Sequence, residues 1–145
     1  MTTREIQVTF DCGDPAALAA FWCEVLGYAV EAPPEGFATW PAFLESVGVP
    51  EPEWSSRSAA RPLEGHGPRL FFQRVPEGKT AKNRVHLDVR AAPGLKGAER
   101  LAALDAEAAR LVALGASVVL RQEPDGLDEA CIWMNDPEGN DFCLD

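Results

Sequence analysis

The sequence predicts an α+β fold made of two βαβββ modules, whose curved, mostly antiparallel sheets surround a cup and carry helices on their outer faces. Three observations lead to this prediction. A strand-like stretch followed by an amphipathic helical stretch and a glycine occurs twice within the 145 residues. The two copies align at Phe10-Asp11 and Leu87-Asp88, which lie 77 residues apart. Short apolar stretches typical of further strands follow each copy.

The first module opens with alternating apolar and polar residues from Ile6 to Asp11, the pattern of a half-buried strand. Asp14-Pro15 then supplies a helix N-cap followed by proline at the first helical position. The helix is predicted to end at Gly27, after an apolar stripe formed by Leu18, Phe21, Trp22, Val25 and Leu26. Further strands are predicted at Tyr28 to Glu31, Phe37 to Trp40, about Ala59 to Leu63, and Leu70 to Val75.

The second module repeats this order from Arg84, where apolar Val85, Leu87 and Val89 alternate with Arg84, His86 and Asp88. A Pro93-Gly94 turn precedes a longer helix, which is predicted to end at Gly115. Its apolar positions are Leu101, Leu104, Ala108, Leu111 and Leu114. The remaining predicted strands are Ser117 to Leu120, Ala130 to Asn135 and Phe142 to Leu144.

We predict one domain over residues 1–145, with module one at about 5–76 and module two at about 83–145. The stretch 41–67 between predicted strands is rich in Pro, Glu and Ser. Because so long a connection in a compact domain is usually functional or mobile, we regard residues 41–67 as a candidate lid.

Composition excludes several partners. Thirteen Lys and Arg against 23 Asp and Glu give a net charge of −10, which argues against nucleic acid and against anionic membrane surfaces. No apolar stretch approaches the roughly 18 residues of a membrane helix, and we expect a cytoplasmic protein. The four cysteines include no C-x-x-C pair and are accompanied by only two histidines, so we expect free thiols and no zinc knuckle.

Several ordered motifs carry a resemblance to a known family. They are Gln7-Val8-Thr9-Phe10-Asp11, Asp14-Pro15, Phe21-Trp22, Leu26-Gly27-Tyr28, residues 67–77, residues 83–89 and Asp136-Pro137-Glu138-Gly139-Asn140. Together they resemble the vicinal oxygen chelate superfamily, and more narrowly its glyoxalase-like branch found in actinobacteria. The resemblance implies a small-molecule ligand in a cup formed by both halves, and a homodimer is the commoner expectation. Members include metal-dependent lyases, isomerases and extradiol dioxygenases, and bleomycin-type resistance proteins that only bind their drug.

In the catalytic members each half supplies a His or Gln and a Glu to one divalent ion. The matching positions here hold Gln7 and Arg84, then Cys143 and either Phe71 or Gln73. Only Gln7 could be a ligand of that kind, and a fixed arginine would repel a cation that needs three or four donors. We therefore expect no standard metal site and no cofactor, while a displaced site built from His86, Asp88 and Asp11 stays open.

By strand alternation, a mixed polar set is predicted to face the cup and bind the ligand, with exposure to water as the alternative. This set contains Gln7, Thr9, Asp11, Phe71, Gln73, Arg84, His86, Asp88, Asp141 and Cys143. Trp40 and Trp54 in the variable segment either overhang the cup and hold a flat organic ligand, or pack their loop onto the sheet.

Two residues are predicted to be catalytic if the protein is an enzyme. His86 beside Asp88 or Asp11 could serve as general acid or base, and Arg84 could hold the anion that develops. The alternatives are a structural histidine and an ion pair of Arg84 with Asp88 or Asp141. A Cys143 thiol nucleophile next to His86 is a further alternative. The functions that follow are small-molecule binding without the standard metal, a metal-dependent lyase, isomerase or dioxygenase, or drug sequestration.

Overall fold

The computed structural model describes residues 1–145 and divides the chain into two units, Met1–Gly78 and Lys79–Asp145. Each unit contains one mixed sheet of four strands, two of whose three pairings are antiparallel. The strand order is β1-β4-β3-β2 in the first sheet and β5-β8-β7-β6 in the second. The elements are β1 Gln7–Cys12, α1 Pro15–Leu26, β2 Tyr28–Val30, α2 Trp40–Ser46, β3 Arg57–Pro62, β4 Arg69–Arg74, β5 Leu87–Val89, α3 Gly97–Ala113, β6 Ser117–Gln122, β7 Cys131–Asn135 and β8 Asp141–Leu144. The predicted fold class of two βαβββ modules is confirmed.

The first unit is built around α1, whose ends agree with the prediction. The Asp14 carboxylate accepts a hydrogen bond of 3.1 Å from the Ala17 N–H, which satisfies a free amide of the first turn. Gly27 ends the helix with a φ of 67°, a conformation that glycine adopts at little cost. The buried face of α1 packs on β2, β3 and β4, and the core includes the fully buried Trp22 and Phe72.

The second unit is built around α3, which packs against β6 and β7. Leu104 and Leu111 are its most buried leucines, and Met134 of β7 and Phe142 of β8 are fully buried as well. A parallel pairing joins the short strand β5 to β8, with Asp88 opposite Cys143. This pairing brings together two segments that are about 55 residues apart in the chain, and it positions the site described below.

Two predicted strands differ from the structure. The strand expected at Phe37 to Trp40 is absent, because the Thr39 hydroxyl caps α2 and Pro41 occupies its first turn. The strand expected from Arg84 begins only at Leu87. Arg84 and Val85 lie in a bend, and Val85 is 80% exposed, so no apolar burial extends the strand.

Three further observations complete the fold. The candidate lid at 41–67 contains most of α2, a short 3-10 turn at Glu51–Glu53 and the whole of β3. All four cysteines are free thiols, as predicted. None of the helices combines the length and the apolar composition needed to cross a membrane.

Candidate functional site

The polar face of the first sheet gathers all five ligand-binding residues that were predicted in β1 and β4. Leu70 and Phe72 are buried on the α1 side, so Phe71 and Gln73 project to the other side. Their ladder partners in β1 are Thr9 and Asp11, and Gln7 precedes these on the same face. All five residues that strand alternation predicted for this face therefore lie on it: Gln7, Thr9, Asp11, Phe71 and Gln73.

Several polar side chains on this face of the first sheet form hydrogen bonds with one another or with neighbouring residues. Arg69 donates from Nη1 to Gln7 Oε1 at 2.8 Å and from Nε to Glu31 Oε2 at 2.6 Å, and its guanidinium lies 5.3 Å from the Phe71 ring centroid. Gln73 Nε2 donates to Asp11 Oδ1 at 2.7 Å. Sequence reasoning missed Arg69, although its position two residues before Phe71 places it on the same face.

The two tryptophans of the variable segment are engaged in local packing. The Trp40 indole N–H donates to the Glu31 carbonyl at 2.8 Å, and the ring packs edge-on against Phe43. The Trp54 indole N–H donates to the Val49 carbonyl at 2.9 Å. Trp40 thus joins its segment to the end of β2, in line with the alternative that the ring packs its loop onto the sheet, whereas the Trp54 contact stays within the segment.

The polar face of the second sheet carries a cavity of about 180 Å³. Ile132 and Met134 are buried towards α3, so Cys131 and Trp133 face the other way, and Trp133 pairs with Cys143 across the ladder. The residues that line the cavity are Lys82, His86, Leu120, Gln122, Cys131, Trp133 and Cys143. Two of the predicted site residues, His86 and Cys143, therefore line one concave surface.

His86 forms the central polar contact of this surface. Its Nδ1 lies 3.1 Å from Asp88 Oδ1, with the two side chains 44% and 46% exposed. At this separation the carboxylate favours the tautomer with the proton on Nδ1, which leaves Nε2 as an acceptor. Arg84 is exposed in the preceding bend and forms no ion pair with Asp88 or Asp141, and it does not line the cavity.

Asp141 lies on the same face, but both of its carboxylate oxygens accept hydrogen bonds from other residues of the fold. Its side chain accepts from the Asn83 N–H at 2.6 Å and from the Trp133 indole N–H at 3.1 Å, and the residue is only 6% exposed. Burial raises the pKa of this carboxyl, but the hydrogen bonds and the charges of Lys82 and Lys79 outweigh burial, so the net pKa is lowered. Asp141 thus anchors the segment that leads to His86.

Two further ionisable side chains that line the cavity are those of Lys82 and Cys143. Lys82 Nζ lies 5.0 Å from the Trp133 ring centroid, within cation–π range. Burial raises the pKa of the Cys143 thiol to about 11, with smaller contributions from Cys131 and Asp88. A thiol with this pKa is protonated near neutral pH, so the structure gives no support to an activated Cys143 nucleophile.

The standard metal ligand set that the resemblance implies does not fit these residues. The oxygen of Gln7 accepts a hydrogen bond from the Arg69 guanidinium, which also covers Phe71. Arg84 is a fixed cation, and Cys143 stands where a glutamate would be required. Arg84 and Cys143 therefore lack the oxygen or neutral nitrogen donor that such a site needs, and so does the fourth position if Phe71 occupies it.

Five cavity residues were not identified from the sequence: Lys82, Leu120, Gln122, Cys131 and Trp133. A signal existed for two of them, because Cys131 and Trp133 alternate with the apolar Ile132 and Met134 in a predicted strand. Lys82 lies outside regular structure, so no periodicity could have placed it.

Comparisons with known proteins agree on the family and the fold. Residues 7–144 match the family model described as "Glyoxalase-like domain". A glyoxalase/bleomycin resistance protein/dioxygenase family enzyme from Burkholderia phytofirmans is similar in structure, with a TM-score of 0.59 at 17% identity over 95% of this chain and 94% of the other. A possible glyoxalase from Bacillus cereus has a TM-score of 0.58 at 13% identity, with 99% and 98% of the two chains covered.

A third similar structure is a mutant of the fosfomycin resistance protein FosX from Listeria monocytogenes, solved with Mn(II) and 1S,2S-dihydroxypropylphosphonic acid. Its TM-score is 0.62 at 12% identity, and 99% of this chain and 90% of that chain are covered. At these identities the likeness concerns the fold. No curated protein is similar enough in sequence to match the chain.

Proposed function

The chain belongs to the glyoxalase-like domain family, and on this premise we propose that it binds a small organic molecule in the cavity of the second unit and exchanges a proton with it through His86. The observation that carries the proposal is the close pair of His86, which lines that cavity, and Asp88, with Nδ1 and Oδ1 3.1 Å apart. The standard metal ligand set has no part in it.

The size of the cavity limits the ligand. Its volume of about 180 Å³ is below the roughly 300–1,000 Å³ of pockets that hold drug-sized compounds. A molecule of a few heavy atoms fits this space. Within this unit, therefore, the cavity favours a small metabolite over sequestration of a drug-sized aromatic compound.

The lining of the cavity favours a ligand with an anionic group beside a planar one. Lys82 is the only cation among the lining residues, and the indole of Trp133 offers a flat apolar surface next to it. Carboxylates and phosphonates conjugated or attached to a carbonyl or alkene have this character. Lys82 can hold the anion while the planar part lies against Trp133.

His86 is placed to act on such a ligand as a general base. Because Asp88 holds the proton on Nδ1, Nε2 is the free acceptor, and the carboxylate stabilises the imidazolium that forms. A carbon acid next to a carbonyl group would lose its proton to Nε2 and recover one from it. The reaction class is an isomerisation, in which the proton returns to the other face or to a neighbouring atom, and it needs no oxidant.

The test measures binding and proton exchange separately. A panel of 2-oxo acids, a 2-oxoaldehyde hemithioacetal, an epimerisable acyl thioester and a small phosphonate is screened for binding by ligand-observed NMR. Bound members are then followed for solvent deuterium exchange at the carbon acid. We expect the wild-type protein to bind and exchange at least one compound.

Two histidine variants make the test specific. His86→Ala is expected to lower the exchange rate by about 10²–10⁴-fold while the dissociation constant changes little. His66→Ala is the matched control, because His66 is exposed in the first unit. Wild-type protein that binds no member of the panel would contradict the proposal, as would exchange that survives in His86→Ala.

Asp88 has a positioning role that a second variant tests. Asp88→Asn keeps the size of the side chain but weakens the hold on the Nδ1 proton, so the exchange rate is expected to fall with an unchanged dissociation constant. The homodimer and the cytoplasmic location remain predictions from the sequence.

A further inference from the structure

Three side chains of types that can bind a metal ion, a histidine, an aspartate and a cysteine, lie close together on the polar face of the second sheet. Potential ligand atoms of His86, Asp88 and Cys143 all lie within 4.8 Å of one another. The parallel pairing of β5 with β8 sets Asp88 directly beside Cys143, and His86 stands two residues earlier on the same side. The cluster therefore follows from the ladder register and not from a chance approach of surface loops.

The spacing is close to that of a tetrahedral metal site. Zinc bonds of about 2.3 Å to sulfur and about 2.0–2.1 Å to nitrogen or oxygen put neighbouring ligand atoms about 3.4–3.6 Å apart. The observed separation of His86 Nδ1 and Asp88 Oδ1 is 3.1 Å. Shifts of about 1 Å or less would bring the three groups onto one ion. His86 precedes the strand and is 44% exposed, so its ring has room to turn.

The surroundings supply further donors. Cys131 lines the same cavity, and its thiol interacts with that of Cys143. Asp145 follows Cys143 by two residues, and its Oδ1 is buried without a hydrogen-bond partner. A buried carboxylate oxygen of this kind is costly to leave unpaired.

Charges of both signs lie around the cluster. Asp88 and Asp145 both act electrostatically on Cys131 and Cys143. On the opposing side, Arg90 pairs with Asp145 through Oδ2 at 2.7 Å but is itself largely exposed. Lys82 acts on Cys143 as well as on Asp141, and Arg100 acts on Cys131, so these two cations oppose an incoming metal ion.

We propose that Cys143, His86 and Asp88 form a binding site for one thiophilic divalent cation such as Zn²⁺, with Cys131 as the nearest additional donor. On binding, the Cys143 thiol loses its proton to solvent and the sulfur bonds to the ion. A thiolate selects zinc, cadmium or cobalt over magnesium and calcium, which prefer oxygen ligands alone. The site needs no residue of the first unit, and it differs in this from the ligand set implied by the resemblance.

This site does not rest on the proposed proton exchange, but the two share His86. An ion bound to Nδ1 leaves the ring proton on Nε2, so Nε2 can no longer act as the base. Saturating Zn²⁺ is therefore expected to suppress the exchange. Removal of Zn²⁺ with a chelator restores it.

Cobalt provides the direct test. Untagged wild-type protein is titrated with Co²⁺ in the absence of any organic ligand. We expect one equivalent to bind with a thiolate-to-cobalt charge-transfer band and strong visible absorption from tetrahedral coordination, and Zn²⁺ to displace it. Absence of the charge-transfer band at millimolar Co²⁺ overturns the proposal.

Three variants locate the ion. Cys143→Ser is expected to abolish the charge-transfer band and to weaken Zn²⁺ binding at least about tenfold, with the circular dichroism spectrum unchanged. Cys23→Ser, which alters a thiol of α1, and Gln7→Ala, which removes the one standard donor, are expected to leave both unchanged. A band that survives in Cys143→Ser, or is lost in Gln7→Ala, contradicts the proposed site.

Lys82→Gln separates this inference from the proposed function. Removal of a positive charge at the cavity is expected to tighten Zn²⁺ binding severalfold, whereas it weakens binding of an anionic organic ligand. If the affinity for Zn²⁺ falls with that for the anion, the cation does not occupy the cluster. If no panel compound binds while cobalt binds as described, the proposed function fails and the metal site stands.

Discussion

Asp141 offers the sharpest stability test because its two oxygens accept from two different donors. Oδ2 accepts from the Asn83 N–H at 2.6 Å and Oδ1 from the Trp133 indole N–H at 3.1 Å, in a residue that is 6% exposed. Asp141→Asn preserves the shape but replaces one acceptor with an NH₂ group. Whichever way the amide turns, one donor then faces another donor.

The expected cost follows from these contacts. An unsatisfied buried donor costs about 1–3 kcal/mol, and the remaining hydrogen bond loses the extra strength that the charge gave it. We therefore expect Asp141→Asn to lower the free energy of unfolding by about 2–4 kcal/mol at pH 7, measured by urea denaturation followed by circular dichroism. Glu35→Gln is the control, since Glu35 is exposed, and we expect a change below about 0.5 kcal/mol.

The pH dependence gives a second readout of the same contact. The pKa of Asp141 is lowered in the folded protein, so its contribution is present above the unfolded value of about 3.9 and is lost as the pH falls through the folded pKa. The difference in unfolding free energy between wild type and Asp141→Asn should therefore be constant above about pH 5 and shrink as the pH falls below about 4. A cost below about 1 kcal/mol at pH 7, or a difference that stays constant down to pH 3, would refute this reasoning.

Three further predictions concern the fold and its assembly. Gly67→Ala is expected to destabilise the protein by about 1–3 kcal/mol in thermal or urea unfolding, because a Cβ there would overlap the Tyr28 hydroxyl, whereas Gly78→Ala meets no atom within 4 Å and should be neutral. Asp14→Ala removes the N-cap that binds the Ala17 N–H and should cost about 1 kcal/mol, whereas a neutral result would show that the first turn is stabilised otherwise. Analytical ultracentrifugation is expected to give twice the mass of one chain, and a single-chain mass at high protein concentration would rule out the predicted homodimer.

The polar faces of both sheets were accessible to sequence reasoning. Alternation in β1 and β4 assigned Gln7, Phe71 and Gln73 to one side, and the structure places them there. The predicted start of the strand at Arg84 was wrong, because alternation continued through residues that the fold leaves exposed, and the strand begins at Leu87. Periodicity reports which side of a strand a residue would occupy, but it does not report whether anything buries that strand.

The sequence could not predict which polar side chains on each face have hydrogen-bond partners within the protein. Gln7 is bonded to Arg69, 62 residues later, and Asp141 to Asn83, 58 residues earlier. Both contacts depend on the register between strands that are distant in sequence. The same polar residue could be a free ligand or a satisfied structural group, and only the pairing decides between them.

The sequence by itself determined the helices and most of the strands, the helix caps at Asp14 and Gly27, the repeated module and the net charge of −10, from which we expect no nucleic-acid partner. These depend on hydrophobic periodicity, backbone preference and net charge, which contiguous residues or whole composition encode. The tertiary structure decided which polar groups have hydrogen-bond partners and which side chains lie next to one another. It paired β5 with β8 and thereby brought His86 and Asp88 beside Cys143, because a ladder between distant strands is selected by packing of the whole sheet against its helix and not by local sequence.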